Sequence, residues 1–87
     1  MDLEELRKKI NKIDNDLISL LFERTELSRK VAEYKKENNL EIYQPQREKE
    51  IIKEKRKLAE ENNLDAEFIE NLFKLIMENS KKIQEKK

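Results

Sequence analysis

The stretch LEELRKKINKIDNDLISLLFERTELSRKVAEYKKE at residues 3–37 carries apolar side chains in alternating steps of three and four, the spacing of one helical face. This apolar stripe consists of Leu3, Leu6, Ile10, Ile13, Leu17, Leu20, Leu27, Val31 and Tyr34. Neither Pro nor Gly interrupts it, so we predict one helix over 3–37 with a length of about 52 Å. A compact domain of this chain length is only about 30 Å across. One chain therefore cannot bury the helix, and we expect a second copy to cover it.

Two shorter helices are predicted after the long one, over about 45–61 and about 66–84. Pro45 suits the first position of the second helix, where Gln44 would be a weak N-cap. Asp65 is placed to cap the third helix. The sequence thus predicts an all-α fold with three helices per chain, one of them very long.

The composition excludes several classes of function. The 87 residues include 20 Lys and Arg, 20 Asp and Glu, one Pro, and no His, Cys or Gly. Without His or Cys there is no disulfide, ordinary zinc site or Ser–His or Cys–His nucleophile pair, so we expect no metal and no cofactor. Zero net charge argues against nucleic-acid binding, and the longest apolar run, Leu20-Leu21-Phe22, is too short to cross a membrane. We expect one cytoplasmic domain over residues 1–87.

Polar residues interrupt the predicted inward face of each helix. Arg24 replaces an apolar residue in the stripe, Glu48 lies one turn before an isoleucine on the second helix, and Ser80 and Gln84 continue the apolar face of the third. In a purely structural protein, Arg24 and Glu48 would form a buried ion pair that fixes register. Unpaired buried polar groups cost roughly 1 to 3 kcal/mol each, and a bound polar ligand would satisfy all four together.

Three cations lie along a second face of the long helix. Arg24 and Lys35 are eleven residues apart, about 16 Å along the axis, so both can reach one small molecule. Arg7 is about 25 Å from Arg24 and could reach the same ligand only from an antiparallel partner chain. Together with Arg47, these side chains suit a compact ligand with two carboxylates. Glu48 could accept a hydrogen bond from a hydroxyl group of that ligand. Simple surface solvation is the alternative for Arg7 and Lys35.

The order and spacing of these residues resemble the all-helical (AroQ-type) chorismate mutases over nearly the whole chain. The segments that carry the resemblance are LRKKINKID at 6–14, LLFERTEL at 20–27, VAEYK at 31–35, PQREKEII at 45–52 and FIENLFKLIMENSKKIQ at 68–84. The resemblance implies an intertwined homodimer with two equivalent sites. It also implies the Claisen rearrangement of chorismate to prephenate in phenylalanine and tyrosine biosynthesis, which needs no cofactor, nucleophile or metal.

The resemblance also implies roles for individual residues. The implied substrate-binding set is Arg24, Lys35, Gln44, Arg47, Glu48, Ser80 and Gln84, with Arg7 from the other subunit. Within it, Arg24 and the partner chain's Arg7 clamp the carboxylates. Lys35 and Gln84 donate to the ether oxygen, and Glu48 binds the hydroxyl. Arg47 acts through its charge, and Ser80 holds a carboxylate or the hydroxyl.

One position departs from the family pattern. Gln44 stands where the family commonly has Asp, which would cap the second helix and face the substrate. We expect the poorer cap to cost about 1 kcal/mol of stability. We expect no binding role for the Gln44 side chain, although its backbone N–H remains available to a ligand.

Two other functions are compatible with the sequence. An isochorismate pyruvate lyase shares the fold and a similar cationic cavity. A non-catalytic helical dimer, natural or designed, would use the polar core residues to set register and would bind nothing.

Overall fold

The computed structural model describes residues 1–86, and Lys87, the last residue of the expected domain, lies outside the described residues. Within 1–86 the backbone forms three α-helices and no strand: α1 (Leu3–Glu37), α2 (Pro45–Glu61) and α3 (Ala66–Glu85). The predicted all-α fold class, with one very long helix, is confirmed. None of these described helices is long and apolar enough to cross a membrane.

Aspartate side chains begin two of the helices. Asp2 accepts a hydrogen bond from the backbone N–H of Glu5 at 2.9 Å at the start of α1. Asp65 accepts from the backbone N–H groups of Glu67 and Phe68 at 2.9 and 3.3 Å at the start of α3. Each bond satisfies an N–H group that the helix itself leaves without a partner.

Helices α1 and α2 end in the same kind of turn. The first residue beyond the cap is an asparagine in the left-handed region, with φ of 55° at Asn39 and 57° at Asn63. In the α1 turn the backbone N–H of Leu40 returns to the carbonyl of Lys35 at 2.8 Å, and the α2 turn has the equivalent bond. This is the Schellman pattern, in which glycine is usual. The chain contains no glycine, so asparagine, the next most tolerant residue, takes its place.

Helix α3 packs against both other helices, whereas α1 and α2 do not approach each other within the described residues. The buried apolar side chains of residues 1–86 are Ala32, Ala59 and Met77, of which none is larger than methionine. The three helices of one chain therefore enclose no substantial hydrophobic core. They leave a gap between α1 and α2.

The first three fifths of α1, residues 3–23, form a projecting part that the other helices leave exposed. Every residue of 1–23 is exposed, including stripe residues such as Ile10 and Leu17, which are 56% and 53% exposed. The chain measures 55 × 24 × 15 Å with a radius of gyration of 16.1 Å, whereas a compact chain of this length would have about 12 Å. Most of the apolar stripe has no cover within the described chain.

The left-handed turn after α2 is testable by substitution. We expect Asn63→Ala to lower the free energy of unfolding by about 1 kcal/mol, because alanine lacks the local hydrogen bonding that makes asparagine tolerable at positive φ. We expect Asn63→Gly to retain or raise it. Urea unfolding at one fixed protein concentration measures both, with Asn71→Ala on the exposed face of α3 as the control. Equal midpoints for the Ala and Gly variants would contradict the role given to this turn.

Candidate active site

The gap between α1 and α2 forms a cavity of about 270 Å³ whose third wall is α3. We call it the α1–α2 cavity. Its apolar lining residues are Leu27, Val31, Ile42, Ile51 and Met77. Its polar lining residues are Arg24, Ser28, Lys35, Gln44, Arg47, Glu48, Ser80, Lys81 and Gln84.

The cavity brings together seven of the eight residues in the predicted substrate-binding set. The exception is Arg7, which is exposed on the projecting part of α1 and does not line the cavity. The axial separation of about 25 Å from Arg24 explains its absence from this chain's own site. The individual roles of all eight residues stay predictions at this point.

Arg24 is fixed by a hydroxyl on the opposite helix. Its Nη1 donates to Ser80 Oγ at 2.5 Å, and Ser28 Oγ donates to the same oxygen at 3.3 Å. Because Ser80 accepts both bonds, its own hydroxyl hydrogen is available to a ligand. Burial lowers the pKa of Arg24, yet a guanidinium stays protonated throughout the physiological range. Sequence reasoning missed Ser28, although it lies between Arg24 and Lys35 on the same helical face.

The partner of Arg24 differs from the one that the structural alternative predicts. That alternative pairs Arg24 with Glu48, whereas the structure pairs Glu48 with Lys81, their Oε2 and Nζ atoms being 3.3 Å apart. Most of the N–H groups of the Arg24 guanidinium therefore remain available to a carboxylate.

Lys35 and Gln84 hold each other in a defined orientation. Lys35 Nζ donates to Gln84 Oε1 and to the backbone carbonyl of Ile42, both at 2.9 Å. An ammonium group has three hydrogens and only donates, so Lys35 keeps one hydrogen free and the amide oxygen of Gln84 must face it. The amide NH₂ of Gln84 is then free to donate to a ligand. The Asn39 turn makes this possible, since it returns the chain towards the last turn of α1.

The environment of Lys35 shifts its titration. Burial lowers the pKa of Lys35, and the negative charge of Glu48 partly opposes that shift. The folded chain therefore releases this proton at a lower pH than the unfolded chain does. The burial of the charged ammonium costs stability at neutral pH, and the cost is relieved as the pH rises towards the ordinary lysine value. Such shifts are typical of groups placed for binding or catalysis.

The first turn of α2 contributes one cation and one anion. Arg47 lines the cavity but is exposed, and its Nη1 lies 3.7 Å from Glu50 Oε2. Glu48 is half-buried, and its Oε1 has no partner among residues 1–86. Lys81, which sequence reasoning missed, follows Ser80 directly and precedes Gln84 by less than one turn. Its position on α3 between Ser80 and Gln84 is the sequence feature that could have identified it as a lining residue.

Gln44 lines the cavity but does not cap α2. Its side chain makes no capping bond and instead donates to the carbonyl of Glu41 at 3.2 Å. This agrees with the expectation of a weak cap. The structure therefore leaves α2 without the side-chain acceptor that Asp would supply.

The charges of the lining determine what the cavity can bind. Arg24, Lys35, Arg47 and Lys81 supply four positive charges against the single negative charge of Glu48. Arg24, Lys35 and Gln84, whose hydrogen bonds leave N–H groups available, line the same cavity. No group of three or more potential metal ligands occurs in the part of the chain that the structure describes. The arrangement can bind a small molecule that has two carboxylates, and it can donate hydrogen bonds to a further oxygen atom of that molecule.

Comparison with known proteins identifies relatives of this chain. It is 40% identical over 82 residues to a chorismate mutase of Methanocaldococcus jannaschii, covering 94% of this chain and 83% of that protein. It is 39% identical over 85 residues to a bifunctional chorismate mutase/prephenate dehydratase of Buchnera aphidicola, covering 98% of this chain and 22% of that protein. A T-protein of Haemophilus influenzae is 35% identical over 78 residues, which are 90% of this chain and 21% of that protein.

A family model extends the comparison to almost every residue discussed above. Residues 6–85 match the model of chorismate mutase type II. The match includes the whole α1–α2 cavity and, from residue 6 onward, the projecting part of α1 with Arg7. The chain belongs to the type II chorismate mutase family.

Proposed function

We propose that this chain catalyses the Claisen rearrangement of chorismate to prephenate, a step of phenylalanine and tyrosine biosynthesis. The observation that carries the proposal is that one cavity is lined by the Arg24 guanidinium and by Lys35 and Gln84, whose mutual hydrogen bond leaves N–H groups of both available. The reaction is intramolecular and pericyclic, so it needs binding, orientation and charge stabilisation only. A cytoplasmic location, and the absence of membrane and nucleic-acid partners, stay predictions from the sequence.

The first contribution to the rate is conformational. Arg24 binds one carboxylate through its fork, Ser80 adds its hydroxyl hydrogen, and the positive charge of Arg47 supports the dianion. Glu48 accepts a hydrogen bond from the hydroxyl of the substrate. Fixing these groups at separate points selects the diaxial, chair-like conformer in which the reacting carbon atoms meet, which lowers the entropic part of the barrier.

The second contribution is electrostatic. As the ether C–O bond breaks, negative charge grows on its oxygen atom. The remaining hydrogen of Lys35 and the amide NH₂ of Gln84 bind that charge more strongly than the neutral ether of the ground state. Because each is already held by the other, little reorganisation is needed as the charge develops.

The active form in this proposal is an intertwined homodimer. The exposed part of the apolar stripe provides the surface for an antiparallel partner helix, and Arg7 lies on that same projecting segment. Each subunit then contributes its Arg7 to the other subunit's cavity as the second carboxylate clamp. The open side of the α1–α2 cavity is closed by the partner's α1.

The direct test is an assay with purified protein. We expect loss of chorismate absorbance, formation of prephenate, no turnover of isochorismate, and a mass in solution twice that of the 10.6 kDa chain. Lys35→Ala should reduce turnover by about 10²-fold or more while the protein stays folded, because it removes a donor to the developing charge.

The matched control is Lys36→Ala, which removes an exposed lysine from the same last turn of α1. It should retain wild-type turnover. Preference for isochorismate would establish the lyase instead, and an inactive wild-type dimer would leave only the structural function.

The pH dependence tests the role of Gln84. A neutral amide donates at every pH, so we expect turnover of the wild type to vary little between about pH 6 and 8. On the alkaline side turnover should fall as Lys35 loses its proton, earlier than an ordinary lysine would because burial lowers its pKa. Gln84→Glu should be active only at low pH, since a carboxyl donates only when protonated. A Gln84→Glu protein whose turnover rose with pH would contradict the role of Gln84 as a hydrogen-bond donor.

A further inference from the structure

Lys81 occupies a position in the cavity that none of the roles above explains. It lines the α1–α2 cavity, and its Nζ lies 3.3 Å from Glu48 Oε2 and 4.6 Å from the centroid of the Tyr43 ring. It thus joins three segments: α3, the first turn of α2, and the loop before α2. A cation over a tyrosine ring and beside a carboxylate has a restricted position.

The Lys81–Glu48 pair differs from the ordinary surface pairs of this chain. Its side chains are 30% and 27% exposed, whereas the helical pair of Lys82 with Glu78 has side chains that are 67% and 60% exposed. The Lys82 pair is also longer, at 3.9 Å, and joins residues one turn apart on one helix. Exposed pairs of that kind contribute little, whereas a half-buried pair between helices fixes the position of both groups.

The position of Glu48 matters because it lies between two cations. Its charge influences Lys35 within the cavity, while its Oε2 is paired with Lys81 on the α3 side. Without Lys81, the ammonium of Lys35, whose pKa already responds to the charge of Glu48, could compensate this half-buried carboxylate. Glu48 would then occupy the hydrogen of Lys35 that the structure leaves free. In that position Glu48 Oε1 would no longer be available to accept a hydrogen bond from a ligand hydroxyl.

We propose that Lys81 is a positioning residue for the rearrangement, holding the Glu48 carboxylate at the α3 wall so that Oε1 faces the substrate hydroxyl and Lys35 stays available to the ether oxygen. The inference rests on the proposed function. Tyr43 contributes to the same arrangement, because its ring lies 4.6 Å from the ammonium of Lys81 and restricts its position. Lys81 acts through Glu48 and does not itself touch the reacting atoms.

The test is a double-mutant cycle between Lys81 and Glu48. Lys81→Met keeps the length of the side chain and removes the charge, and we expect it to lower kcat/KM about tenfold, with a fall in kcat as well as a rise in KM. In the Glu48→Gln background the same substitution should have almost no further effect. These slow variants are assayed at high enzyme concentration so that their turnover is resolved.

Two controls separate positioning from general effects. Lys81→Arg should recover most of the wild-type kcat/KM, because it keeps the charge and the contact with the aromatic ring. Lys82→Met, which removes the neighbouring exposed lysine, should match the wild type in kcat and KM. Thermal unfolding of all variants checks that the losses are not losses of structure.

The outcomes distinguish this inference from the proposed function. An active wild type with an unaffected Lys81→Met would overturn the role of Lys81 alone. If the kcat/KM losses of the two single variants multiplied in the double variant, Lys81 would not act through Glu48. That result would also overturn the role of Lys81. A wild type without activity on chorismate would overturn the proposed function and this inference together.

Discussion

The uncovered apolar face of α1 is the constraint on which the rest of the molecule depends. Burying one large aliphatic side chain contributes roughly 1.5 to 3 kcal/mol, so the six stripe residues from Leu3 to Leu20 represent on the order of 10 kcal/mol. That is comparable to the whole stability of a small domain. The three helices of one chain bury only Ala32, Ala59 and Met77 as apolar residues of the described core. A second chain is therefore the source of the missing core in our account.

The same geometry creates the candidate site. Because α1 and α2 stay apart and both pack on α3, the space between them collects side chains from all three helices. Its polar groups are engaged with each other in ways that leave selected hydrogens free: Arg24 with Ser80, and Lys35 with Gln84. This preorganisation is what a reaction without a nucleophile, base or metal requires.

Periodicity predicts the helices, and periodicity together with the family resemblance predicts most of the polar lining of the cavity, apart from Ser28 and Lys81. Steps of three and four place Arg24 and Lys35 on one face, and an uninterrupted stripe sets the length of α1. The hydrogen-bond partners could not be predicted in the same way, since pairing among four cations and one carboxylate depends on how each helix is rotated about its axis. The structural alternative paired Glu48 with Arg24, whereas the structure pairs that carboxylate with Lys81.

In the proposed dimer each cavity is completed by an arginine from the other subunit, and mixing inactive subunits tests this sharing directly. We expect Arg7→Ala and Arg24→Ala each to be inactive. After unfolding and refolding together, they should recover about a quarter of wild-type activity, since half of the dimers are mixed and each has one intact site. Arg24→Ala mixed with Lys35→Ala should recover nothing, because both residues belong to the same chain's cavity. Full activity of Arg7→Ala alone, or no recovery in the first mixture when subunits have exchanged, would contradict the shared site.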